Sequence, residues 1–244
     1  MELTQEYLES KYRELKEFKL IDANLYPSLD LYMDQVTTFM EQHAGVMRRN
    51  EEDKILTKTM INNYAQSTLL PAPEKKKYSK EHLMLLMMIF YMKNVLSMND
   101  IQTALTPLIG DSFEQRRQEE KEKTIEGIYR KIVEGTESIE NDVEEETKKY
   151  RDKADALYPD NQELADFAFL QLCSYDLFLR KALIERIIDD VQNEQKEQKA
   201  KEEKAKATAK AEAKEAAKEA REAAKEAARE AKEALEERFR LHHL

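Results

Sequence analysis

Residues 56–89 read LTKTMINNYAQSTLLPAPEKKKYSKEHLMLLMMI. A helix is expected over about 57–68, in which Met60, Ile61 and Tyr64 recur at helical spacing and turn inward. Lys58, Asn62 and Gln66 lie four apart and share one outward stripe. Pro71 and Pro73 end the helix, because neither has a backbone N–H to donate. Residues 71–78 then form a loop or at most a very small hairpin. Ser79 caps a strongly apolar helix, with Glu81 near its positive end and Leu83, Leu86, Met87 and Phe90 on its core face. Short polar-faced helix, proline turn, three lysines and apolar helix follow one another in the order of a winged helix-turn-helix.

The flanks extend this unit. Ser28 can cap a preceding helix to about His43, with Gly45 as its stop and Tyr32, Val36, Phe39 and Met40 toward a core. Ser97 and Asp100 resemble a capping box for a further helix through Ile101, Ala104 and Leu105. Pro107 and Gly110 close a domain expected at 22–110, preceded by a polar helical arm at 1–21.

Beyond Ser112 the character changes. Ile125, Tyr129, Ile132, Thr136, Ile139, Val143, Glu146, Tyr150, Lys153 and Leu157 alternate in steps of four and three, an imperfect heptad seam interrupted by Gly127 and Gly135. Pro159 breaks it, and a second long helix starts near Asp160 or Asn161. Residues 164–191 are apolar on most sides and are expected to be well buried. Residues 112–192 thus read as an antiparallel helical hairpin suited to dimerisation. Residues 193–244 form a long charged helix rich in Ala, Glu and Lys. Its alanines at 213, 217, 220, 224, 227, 231 and 234 make either a narrow seam or one side of a solvated spacer; the small area alanine buries favours the spacer. His242 and His243 read as a frayed end.

Composition agrees with an all-α chain. Of 244 residues, 37% are charged, and there are only 4 glycines and 5 prolines. Alternating β-branched runs are nearly absent. The net charge is −10, yet residues 54–93 hold seven lysines against two glutamates. The net charge argues against unspecific clinging to nucleic acid, and the local positive island is either a binding patch or simply a solvated surface. The single cysteine, Cys173, excludes an internal disulfide and suits a reducing cytoplasm. The apolar run at 83–92 is about half the length of a membrane span. No Gly-rich phosphate loop, His-Glu-x-x-His pair or paired cysteine occurs, so neither a catalytic centre nor a cofactor is expected. His82, following Glu81 at a helix start, reads as an exposed or capping histidine.

The blocks LYMDQVTTFM at 31–40, ILTKTMINNYAQ at 55–66, KKKYSKEHL at 75–83 and VLSMNDI at 95–101 resemble an uncharacterised bacterial domain-of-unknown-function family. Its fold is similar to the helix-turn-helix of the mercury-resistance-regulator (MerR) superfamily. The resemblance covers about residues 22–110 and implies a DNA-binding fold. In the wider superfamily an Arg-Tyr-Tyr triplet precedes a Gly-Leu-hydrophobic-Pro turn. Here Asn62, Asn63 and Tyr64 stand at the triplet, and Thr68, Leu69, Leu70 and Pro71 at the turn. The wing carries Lys75, Lys76 and Lys77 before Tyr78, with no glycine or arginine.

Taken together, the expected role is a dimeric, cytoplasmic transcriptional regulator binding double-stranded DNA. Lys58, Thr59, Asn62, Asn63, Tyr64 and Gln66 would face the major groove, where Asn and Gln can pair with adenine. Lys75, Lys76, Lys77 and Tyr78 would contact phosphates. The alternative is a helical scaffold whose basic patch docks an acidic protein, with the C-terminal helix offering a further protein-binding surface.

Overall fold

The computed structural model describes the backbone of residues 3–136 and 138–241 and the side chains up to Lys225, apart from those at 111, 140, 211, 212, 218, 219, 222 and 223. Met1, Glu2, His242 and His243 lie outside the described residues. The chain is helical, with a single two-stranded sheet among the described residues. It divides into two units, residues 1–188 and 189–244.

In the first unit, α4 (Lys80–Met92) is the central element. Residues from Leu83 to Phe90 are all buried, not only the four on the expected core face. A helix apolar on every side has to be wrapped on every side. α2 (Met33–Ala44) and α3 (Lys58–Gln66) supply Val36, Phe39, Met40, Ile61 and Tyr64; α5 (Met98–Leu105) supplies Ile101 and Leu105. Ser97 caps α5 as expected, accepting from the Asp100 N–H at 3.2 Å and donating to its carboxylate at 2.7 Å.

The wrapping continues past Gly110. α6 (Asp111–Gln118) contributes Phe113, and α7 (Ile125–Thr136) contributes Ile125 and Tyr129, both fully buried. The heptad seam read from 125 to 157 is therefore not one helix. Its first turns belong to the core around α4, and a separate helix, α8 (Ile139–Leu157), starts after Ser138. Gly127 shows why the first piece sits where it does. A Cβ there would lie 2.2 Å from the Lys121 carbonyl oxygen, so the helix and the preceding turn approach through the missing side chain.

β1 (Leu31–Tyr32) pairs antiparallel with β2 (Lys77–Tyr78), Leu31 opposite Tyr78 and Tyr32 opposite Lys77. This displaces the helix expected from Ser28: α2 begins only at Met33, and the Tyr32 backbone N–H donates to the Gln35 side chain at 2.9 Å. Tyr32 consequently leaves the core and is 54% exposed.

α8 and α9 (Gln162–Leu241) form an antiparallel hairpin turning at residues 158–161, with a shorter first arm than the one expected over 112–192. The Asn161 side chain caps α9 by accepting from the Leu164 N–H at 3.1 Å. Arg151 reaches Asp166 at 2.8 Å, and Arg180 reaches Glu146 farther along. α1 (Gln5–Leu15) lies on this hairpin: Leu3 joins Ala154, Ala168 and Phe169 in a small cluster, and Tyr12 accepts from the Thr147 hydroxyl at 2.9 Å. Cys173 is half-buried beside that cluster, and burial pushes its thiol pKa up. Residues 164–191 are not buried as expected. One chain covers a single stripe of α9, and the remaining apolar side chains face outward. In the second unit α9 runs on as the charged segment, with Ala213, Ala217, Ala220 and Ala224 exposed. The side chains of Ala227, Ala231 and Ala234 lie outside the described residues. No described helix is long and apolar enough to cross a membrane.

Thr68 has φ +59°, a left-handed conformation that a β-branched side chain tolerates poorly. Its hydroxyl accepts from Gln102 at 2.8 Å, which ties the end of α3 to α5. Thr68→Gly removes the Cβ conflict but adds chain entropy to the unfolded state. The variant also forfeits the Gln102 bond, so the three effects nearly cancel and a net change within about 1 kcal/mol of zero is expected in urea unfolding.

Candidate nucleic-acid interface

α3 is set by local chemistry. The Thr57 hydroxyl accepts from the Met60 N–H at 3.1 Å, and the Tyr64 carbonyl accepts from the Leu69 and Leu70 N–H groups at 2.9 and 3.0 Å, closing the C-terminal end. With Ile61 and Tyr64 inward, Lys58, Thr59, Asn62, Asn63 and Gln66 are all exposed. The amides of Asn62, Asn63 and Gln66 thus present donor and acceptor groups to solvent along one side of a helix.

The lysine turn is tighter than the sequence suggested. The Lys77 N–H donates to the Glu74 carbonyl at 2.8 Å, and Lys75 and Lys76 occupy the two central positions with φ +47° and +65°. Positive φ at both positions is the type I′ pattern, which favours Asn-Gly. Both lysines are exposed. Lys77 is half-buried, with its ammonium 5.2 Å from the centre of the Tyr32 ring.

Two expected contact residues are corrected. Tyr64 is 5% exposed and Tyr78 is 3% exposed; both rings belong to the core around α4. Burial raises the pKa of both hydroxyls. Tyr64 faces inward because it shares the Ile61 side of α3. Tyr78 is turned inward by β-pairing, in which alternate residues face opposite ways. Its ring meets His82 edge-on at 5.8 Å. His82 is buried, and its Nδ1 accepts from the Ser79 N–H at 3.1 Å, so of the two roles expected for it the capping one is observed and the exposed one is not. Burial lowers its pKa, more strongly than the nearby Glu81 raises it.

Residues not anticipated adjoin the site. Lys58, at the start of α3, pairs with Asp34, while Lys77, on β2, lies over Tyr32. The junction of β1 and α2 therefore touches both the first turn of α3 and the lysine turn, bringing these two segments to one region. The Lys58–Asp34 pair is exposed on both sides and contributes little stability. From α6, Arg117 reaches Glu74 at 3.3 Å. Arg117 lay beyond the expected domain boundary, so a charge count ending at Lys93 could not find it. Two lysines of the positive island are held internally: Lys80 pairs with Glu126 at 2.9 Å, and Lys93 donates to the Ile55 carbonyl at 3.0 Å. Among the described residues no group of His, Cys, Asp and Glu is placed to hold a metal ion.

No curated protein and no solved structure matches the chain. Residues 21–132 match the family described as a domain of unknown function, DUF1836. The matched segment ends within α7, past Gly110 and past the buried Tyr129. A DUF1836 domain is therefore found over residues 21–132, and it holds α3, the lysine turn and the Tyr32–Asp34 junction.

Proposed function

We propose that this protein is a cytoplasmic DNA-binding regulator of MerR-like helix-turn-helix design. In this reading α3 enters the major groove and the lysine turn lies against phosphates. The observation that carries it is the backbone of Lys75 and Lys76. Two consecutive lysines occupy left-handed positions that Asn-Gly would fill at lower cost. Strain of this kind persists where the side chains serve a purpose. Lysine supplies charge for phosphate without the bidentate geometry of arginine, so the turn contributes affinity and the exposed amides of Asn62, Asn63 and Gln66 contribute sequence reading.

The test is a fluorescence-anisotropy titration on duplex fragments across a range of salt. Lys75→Asn combined with Lys76→Gly keeps the turn and removes both charges. The slope of log affinity against log salt is expected to fall in magnitude by about 2, roughly one per lost phosphate contact, with unfolding unchanged or slightly delayed. Asn62→Ala should instead relax sequence preference by about 1–3 kcal/mol at one position. A wild-type protein that shows no salt-dependent duplex binding at low ionic strength refutes the reading. Equal binding to an acidic polypeptide would favour a protein-docking scaffold.

A further inference from the structure

We infer that the cleft between the end of α4, residues 47–55 and Phe18 binds a small organic anion built on a flat apolar ring, of the aromatic carboxylate class. The cleft has a volume of about 440 Å³, within the range of small-ligand sites. Arg48, Arg49, Lys54 and Lys93 line it, against a single carboxylate, Asp53. That local excess of positive charge stands in a chain of net charge −10. Asp53 is turned to Asn50, accepting from its backbone N–H at 3.0 Å and its side-chain amide at 3.1 Å. Arg48 is paired with Glu41 at 2.6 Å. Arg49, Lys54 and Lys93 form no ion pair among the described residues.

Lys93 is half-buried, and a buried charge normally has a charged partner. Its ammonium gives one N–H to the Ile55 carbonyl at 3.0 Å and lies 4.7 Å from the centre of the Phe90 ring. Neither is an anion, and burial lowers its pKa. The negative end of the α4 dipole favours a cation at Lys93, but that effect falls off within the last turn, and Arg49 and Lys54 lie on another segment. The walls between these cations are aromatic. Phe18 is 40% exposed, the Tyr91 hydroxyl donates to the Lys19 carbonyl at 3.0 Å, and Phe90 meets Tyr91 edge-on at 5.7 Å. Aromatic faces and edges pair with a planar ring, while ammonium and guanidinium groups bond its carboxylate. A cleft of one sign of charge with apolar walls also concentrates anions from solution. A phosphate, free or on a duplex, would use the cations and leave the rings uncovered. The site does not depend on whether α3 meets a duplex.

The test is isothermal titration calorimetry of the full chain, without DNA, using 2-naphthoate as the probe. Binding is expected with a dissociation constant of about 0.1–1 mM, the range open to a ligand of this size. The neutral 2-naphthamide, which keeps the ring, and inorganic phosphate, which keeps only charge, should each bind about tenfold more weakly or worse. Lys93→Met keeps the length of the side chain and removes the ammonium, and should weaken naphthoate about tenfold. Because Lys93 also holds the Ile55 carbonyl, a second variant guards against misfolding: Arg49→Gln with Lys54→Gln changes two exposed side chains and should weaken naphthoate by a similar factor with an unchanged urea midpoint. No binding of naphthoate at millimolar concentration overturns the site. Naphthamide binding as tightly as naphthoate overturns the role of the cations, and phosphate binding as tightly overturns the role of the rings. Undiminished binding by the Arg49→Gln, Lys54→Gln protein places the ligand elsewhere and overturns the assignment to this cleft. Calorimetry without DNA reads this site and anisotropy reads duplex binding, so either proposal can fail without the other.

Discussion

Tyr129→Ala is expected to cost about 3–5 kcal/mol of stability, the range for removing a fully buried aromatic ring. Tyr129 has no exposed surface. Its ring packs edge-on against Tyr26 at 5.4 Å and 84°. Its hydroxyl accepts from the Tyr26 hydroxyl at 2.9 Å and donates to the Ile21 carbonyl at 3.0 Å. Burial pushes the Tyr129 pKa up to about 12, so the proton that makes the second bond stays in place across the neutral range. α7 is thereby fastened to the segment before α2. Tyr129→Phe keeps the ring and strands a carbonyl and a hydroxyl, which costs about 1–3 kcal/mol. Urea unfolding followed by near-ultraviolet circular dichroism of the tyrosines reads this core apart from the helical signal of α9. A near-neutral Tyr129→Ala would show that α7 is not part of the core around α4.

The second large effect belongs to Asp166. Its carboxylate accepts from the Leu3 N–H at 2.9 Å, from Gln162 at 2.9 Å and from Arg151 at 2.8 Å. Burial alone would raise its pKa, but these three donors outweigh it and hold the carboxyl below its ordinary value of 3.8. Asp166→Ala leaves Arg151, itself largely buried, with Asp155 only, and leaves the Leu3 N–H without its acceptor. Breaking a buried ion pair costs about 3–5 kcal/mol, and the surviving Asp155 contact puts this case near 3. The arm at α1 should loosen with it, giving faster tryptic cleavage at Lys11 and Arg13. The sign of the pH dependence follows from the depressed pKa. The contribution is complete above 3.8 and is lost as pH falls through the lower folded value, so wild type and variant converge only in strong acid. A gap that stays unchanged below pH 3.8 and on through strong acid, or an unchanged cleavage rate, would refute this role.

Tyr32, Tyr64 and Tyr78 show how far the site could be read from residues alone. The outward stripe of α3 was legible, because a 3.6-residue period assigns faces without reference to anything distant. Tyr64 shares the period of Ile61, and its place in the core follows from the same pattern. Tyr32 and Tyr78 depended on the pairing of β1 with β2, two-residue strands too short to leave an alternation in the sequence. Asp34 and Arg117 reach the site only through that pairing and through the packing of α6.

By itself the sequence determined the helical class, the approximate span of α3, the caps at Ser79 and Ser97, and the hairpin of α8 and α9. Each rests on groups within about four residues of one another, where hydrogen bonding and side-chain period act locally. Only the tertiary structure decided that α7 closes the core, that the lysine turn adopts left-handed backbone beside β1, and that the apolar face of α9 remains open. Those outcomes depend on which distant surfaces meet and on how much apolar area one chain has available to cover another.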